Sequence, residues 1–203
     1  MTFQFKLRLV VIIAVILTAG IVFFPRAQPM PSAISAPQAR KLEPTDIVNR
    51  YKILVTPTKA QLFTTDIKED NYLTTSAPSV YVAEGVAHKV FKAAVTANGQ
   101  TTMPLFRLFM KTASRHYWTS DAAEYAKLRA DSANVVDEGI DSYVFPVLGV
   151  TGSIPLYHLS LLNPDRHHWT ADETEFNALR NSGWQAKGKI ASAPGVIGYV
   201  MPK

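Results

Sequence analysis

Arg166-His167-His168-Trp169-Thr170-Ala171-Asp172 restates Arg115-His116-Tyr117-Trp118-Thr119-Ser120-Asp121, with five of seven residues identical at an offset of 51. A weaker match, Asp70-Asn71-Tyr72-Leu73-Thr74-Thr75-Ser76, begins 45 residues before the second string. Self-similarity at such a period marks a fold built from stacked or cyclically arranged units.

The similarity extends outward from these strings. Pro104-Leu105-Phe106-Arg107-Leu108-Phe109 recurs as Pro155-Leu156-Tyr157-His158-Leu159-Ser160 at the same offset, and its alternation of aromatic and branched residues predicts strands. Turn residues stand between each such strand and its string (Lys111 to Ser114, and Asn163-Pro164-Asp165), so each string is expected as the second strand of a hairpin. A helix follows. Asp121 with Glu124, and Asp172 with Glu175, have N-cap and N3 spacing. Tyr125 with Leu128, and Phe176 with Leu179, are three apart and would face the core together. Gly183 and Asn134 are the expected left-handed terminators, and closing strands are expected over 140–145 and 196–201. Between Ser76 and Gly85 only eight residues intervene, which leaves the first copy no room for its helix.

These residues resemble a repeat of unknown function found in exported bacterial and fungal proteins. Its units run approximately P-L-Y-R-L-Y-N-P, D-H-F-Y-T-T-D, A-E, L, G-W, E-G-V-A and Y-V. The likeness covers about residues 61–203 and is clearest in 155–184 and 104–144. It implies an extracytoplasmic module, often appended to secreted hydrolases, and it carries over no catalytic residues. The chain departs from that pattern at Lys187-Gly188-Lys189, where Glu-Gly-Val is expected.

The fold class expected is α+β, mainly β: three imperfect strand-turn-strand-helix-strand repeats (61–91, 104–145, 155–201) in a pseudo-threefold domain spanning 46–203. A β-trefoil-like closed barrel is the alternative topology, although helices do not belong in a pure one.

Ahead of that domain, 17 uncharged residues separate Arg8 from Arg26. That length lies between a signal peptide's apolar region and a full span. The nearest cleavage candidate, Ala33-Ile34-Ser35, is far from the run, so residues 1–25 are expected as an uncleaved single-pass anchor, with a cleaved signal as the alternative. Lys6 and Arg8 place the N-terminus inside and the domain outside the cytoplasm. Residues 26–45 are Pro-rich and expected as a linker or stalk.

Composition excludes several chemistries. The chain has no cysteine, so disulfides, thiolate zinc sites and thiol nucleophiles are ruled out. The net charge of +5 is scattered, with no basic cluster for nucleic acid. No cofactor fingerprint or catalytic motif is present, so no cofactor and no enzyme activity are expected. The residues singled out for ligand binding are Arg115, His116, Trp118, Arg166, His167 and Trp169, because an aromatic face beside forked donors suits carbohydrate. The competing role for Trp118 and Trp169 is core packing, which repetition itself favours. Repeated histidines also raise a metal site, but His167 and His168 are adjacent on a strand and cannot both point inward. The function expected is a non-catalytic module binding cell-envelope carbohydrate. The alternatives are a membrane-tethered structural or protein-interaction domain and, last, a divergent hydrolase.

Overall fold

The structure is a computed structural model that describes residues 39–203 apart from Gly149, Pro164, Lys189, Ala191 and Ser192. The apolar run 9–24 and most of the Pro-rich stretch lie outside the described residues. No described helix is long and apolar enough to cross a membrane.

The domain is mainly β. It opens with β1 (Arg40–Lys41) and a 3₁₀ turn (Pro44–Asp46), then a hairpin of β2 (Ile47–Val55) and β3 (Ala60–Thr64), α1 (Ile67–Ser76) and the long strand β4 (Tyr81–Phe91). After the short β5 (Val95–Ala97) and β6 (Gln100–Thr101) comes a second hairpin, β7 (Met103–Met110) with β8 (Arg115–Thr119). Next are α2 (Ala122–Arg129) and β9 (Val135–Val144). A third hairpin, β10 (Ile154–Leu162) with β11 (Asp165–Thr170), leads to α3 (Glu173–Asn181), β12 (Gln185–Ala186) and β13 (Val196–Val200). Both RH-x-W-T strings are second hairpin strands, as expected, paired with β7 and β10.

Three segments thus share the order hairpin, helix, long strand. In each, the long strand returns antiparallel to the first hairpin strand. Gly85 in β4 and Gly139 in β9 both sit at φ +80° beside a register shift, opposite Lys52 and Arg107 respectively. A bulge at that point needs a left-handed residue, and glycine supplies it without a Cβ clash. In the third segment nine residues (187–195) separate β12 from the continuation in β13, so one long strand becomes two short ones.

The far ends of the long strands pair with one another in a closed cycle. Phe91 is bonded opposite Tyr143, Phe145 opposite Tyr199, and Met201 opposite Lys89. An apolar cluster lies there: Phe91 meets Phe145 edge-on at 4.9 Å, with Tyr143, Tyr199 and Val196 around them. A second cluster gathers Phe63, Trp118, Trp169, Leu105, Leu156 and Val200, drawn from all three segments.

Each helix is docked by its inner face. Tyr125 stacks on Phe106 at 3.9 Å and 7°, and Phe176 on Tyr157 at 4.0 Å and 18°. Leu128 and Leu179 pack beside them, as the spacing predicted.

Several expectations are corrected. The first segment does have its helix, α1, and the string Asp70 to Ser76 is helical rather than a strand. The strand that leads into the α1 cap is β3, ten residues earlier, and it ends Phe63-Thr64 ahead of Thr65-Asp66. Gly183 is left-handed at φ +96° as expected, but Asn134 is not. Because α2 stops at Arg129, Asn134 instead closes a turn by donating its side-chain amide to Asp131 at 3.0 Å. The closing strand β9 begins at Val135, five residues before its expected start. Ahead of Asp46, β1 pairs in parallel with β5, Arg40 is ion-paired with the buried Asp46, and Ala39 and Leu42 pack on the core.

Candidate functional site

The most regular local geometry lies at the starts of the three helices. In each, a threonine hydroxyl accepts from the N-cap amide at 3.0 Å: Thr64 for Asp66, Thr119 for Asp121, Thr170 for Asp172. The cap carboxylates accept the first-turn amides of Lys68, of Ala123 and Glu124, and of Thr174 and Glu175. The glutamates three residues on do not turn back to complete a capping box. Glu69 accepts from Arg107 (2.8 and 3.1 Å), Glu124 from the Tyr117 hydroxyl (3.0 Å), and Glu175 pairs with His168 Nε2 (2.9 Å).

Each helix start faces the strands of another segment. The start of α2, from Thr119 to Glu124, faces His158, Lys187 and Ile197 across a groove of about 320 Å³. The start of α3, from Thr170 to Glu175, faces Lys52, Glu84 and His88 across a groove of about 270 Å³. At the start of α1 the corresponding space is occupied by the Arg107 side chain. It reaches Glu69, donates Nε to Glu138 at 2.8 Å and lies 3.1 Å from His116 Nε2. Lys52, Arg107 and His158 hold the same place on their respective first hairpin strands, so one position decides whether a groove is open or plugged.

The electrostatics of these places differ. Burial pushes the Glu69 and Glu138 carboxyls up, but their bonds to Arg107 and His116 prevail and hold both below the usual range. Glu175 is held at about 2, chiefly by its bond to His168. His158 and His167 share a contact of 2.8 Å between Nε2 and Nδ1. Burial, followed by the charge of Arg115, pushes His167 down to about 4, and burial likewise keeps His158 neutral.

The six residues singled out by sequence are not brought to one surface. Trp118 and Trp169 are 0% and 2% exposed and stand against each other in the core, so neither indole offers a face to solvent. Arg115 clamps two segments together: it is ion-paired with Asp165 and donates to that residue's main-chain carbonyl at 2.6 Å. Arg166 is exposed on the third hairpin. His116 joins the Arg107 plug, and His167 joins His158. His168, on the opposite side of its strand, meets Glu175 and Gln61. Among the described residues no group of His, Cys, Asp and Glu gathers to hold a metal.

Sequence reading missed the buried polar residues. Arg50 is fully buried, its guanidinium 4.7 Å from the Phe63 ring and 5.2 Å from Trp118, and 3.3 Å from Asp141. Gln61 accepts the Trp169 main-chain amide at 2.8 Å. His88 is 1% exposed with no hydrogen-bond partner for Nε2 among the described residues. The available signal was an arginine and a histidine at inward positions of apolar strands, where a charge costs most.

Residues 49–193 match the family described as Domain of unknown function (DUF5648). No curated protein and no solved structure matches the chain.

Proposed function

The chain belongs to the DUF5648 family of domains of unknown function, and from that premise we propose that it is a non-catalytic binding module for cell-envelope carbohydrate. The observation that carries this is the recurrence of a groove between a capped helix start and a neighbouring segment's strands, open in two places and plugged in the third. Such placement fits three imperfect repeats around a pseudo-threefold axis, trefoil-like in closure, with ligand positions at the joints between repeats. The cyclic pairing of Phe91, Phe145 and Met201 with the next strand in turn supports that symmetry.

The chemistry of the groove walls favours hydroxyl-rich ligands. Lysine, threonine and carboxylate groups share the walls with apolar residues such as Val86, Ala87 and Ala171, giving donors and acceptors without a dominant charge. Hydrolysis is disfavoured by the same residues. Asp172 caps α3, Glu84 is ion-paired with Lys52 at 3.0 Å, and Glu175 at about 2 is ionised too firmly to act as a general acid near neutrality. The exported, membrane-tethered placement rests on the apolar run 9–24 with its basic flank.

The test is a glycan array and a peptidoglycan pelleting assay on the full-length chain. Selective retention by one glycan class is expected. Retention by none sinks the carbohydrate reading, and a single protein partner recovered by crosslinking in intact cells would favour the tethered protein-interaction alternative.

A further inference from the structure

We infer that the groove at the start of α3 is where this module holds its ligand, through a sugar hydroxyl on the imidazole of His88. This rests on the binding reading above and adds to it a location, a contact and a ligand size.

The three helix starts are not equivalent in what they leave unsatisfied. At α1, the polar groups facing the cap are consumed by the Arg107 bonds to Glu69 and Glu138. At α2, the histidine facing the groove, His158, has a partner in His167 at 2.8 Å. At α3, the histidine lining the groove is His88, 1% exposed, and its Nε2 has no partner among the described residues. A buried polar nitrogen without a partner is rare in a folded chain, and at the wall of a groove it marks a place completed by something that enters.

The surrounding groups specify the class of ligand. Burial, then the charge of Arg50, holds His88 neutral. A neutral imidazole nitrogen either donates or accepts according to tautomer, and a hydroxyl satisfies both cases. Lys52 and Glu84, ion-paired at 3.0 Å with side chains 23% and 35% exposed, set a donor beside an acceptor at the rim, matching neighbouring hydroxyls on one ring. Val86, Ala87 and Ala171 leave an apolar strip for the C–H face of such a ring. Lys52 and Lys203 stand against Glu84, Asp172 and Glu175 on the walls, so the groove does not select an anion. At about 270 Å³ the space suits one pyranose ring.

The experiment is NMR of the imidazole nitrogens in the full-length chain in detergent micelles, titrated with the methyl glycosides of glucose, galactose, mannose and N-acetylglucosamine. At least one sugar should move the His88 Nε2 resonance and leave His158 and His167 unmoved. His88→Phe, which keeps a planar ring, should weaken that sugar at least tenfold. Lys52→Ala, at the rim, should weaken it several-fold with an unchanged melting temperature and serves if His88→Phe does not fold. Binding that persists in the folded variants, or shifts confined to His158 and His167 at the α2 groove, overturns this site while leaving the binding reading intact. A His88 resonance indifferent to every sugar means an internal water only and overturns the proposal. If the glycan array is also blank, the binding reading fails with it.

Discussion

Trp169 donates its indole Nε1 hydrogen to the main-chain carbonyl of Trp118 at 3.2 Å, and the two rings stand edge to face with centroids 5.3 Å apart. Phe63 completes the row, 5.4 Å from Trp118 and nearly perpendicular to it. All three precede the threonine that begins a helix cap, so the residue that fills the centre also fixes where each helix starts.

The two tryptophans are alike in sequence but not in bonding, and this separates them by experiment. Trp169 Nε1 is bonded, whereas Trp118 Nε1 has no partner among the described residues. Trp169→Phe should therefore cost about 1 kcal/mol more than Trp118→Phe in urea unfolding, the worth of one buried hydrogen bond. Equal costs, or the reverse order, would remove the bond's assigned role.

How much of this was legible before the structure varied with how each segment docks its helix. In the second and third, Tyr125 and Phe176 stack on strand aromatics, and periodic aromatics are what a sequence reader sees. In the first, the corresponding positions are Asp70 and Tyr51. With an acid where the other two segments have an aromatic, this helix carries no periodic signature in the sequence. The strands and two caps were legible because strand alternation and cap chemistry are local. The grooves were not, since each joins residues more than 30 positions apart in different segments. Arg50 and Arg107 act through partners that no local pattern names, and His88 stands out only by a buried Nε2 with no partner among the described residues.

Asp70 yields a prediction of opposite sign from most substitutions. It is buried with Oδ1 unpartnered, and burial raises its carboxyl above the usual range. Asp70→Phe should restore the stack found in the other two segments and remove an unsatisfied polar atom. A gain of about 1–2 kcal/mol is expected, on the scale of one buried unpaired group. Thermal unfolding checks it, and a lower melting temperature would mean that Tyr51 cannot accept the ring.

Arg107 is the plug, and removing it should leave two carboxylates facing each other without their cation. Its side chain is 12% exposed, against 17% for Glu69 and 30% for Glu138. Arg107→Met is expected to destabilise by about 3 kcal/mol, since stranding a buried charge costs more than its pair contributes. Adding Glu69→Gln should recover a good part of that loss, so the double-mutant cycle should show strong coupling. Additive effects would mean the three side chains do not act as one unit.

The histidines set the acid limit of stability. His167 falls from 6.5 to about 4, first through burial and then through the charge of Arg115, with Asp165 pulling the other way. His88, His116 and His158 are also lowered, each chiefly by burial. A histidine with a depressed folded value stays neutral in the native chain while the unfolded chain takes up its proton. Its contribution is therefore complete above pH 6.5 and lost as pH falls toward 4, at up to about 1.4 kcal/mol per pH unit for each proton. Glu175, lowered from 4.5 to about 2, extends the decline below pH 4.5 in the same direction. Urea unfolding from pH 8 to 3 should show a plateau above pH 7 and a falling limb beneath it. His167→Phe should reduce the slope of that limb between pH 6.5 and 4 by about one proton, and an unchanged slope would show that His167 is not held neutral in the folded chain.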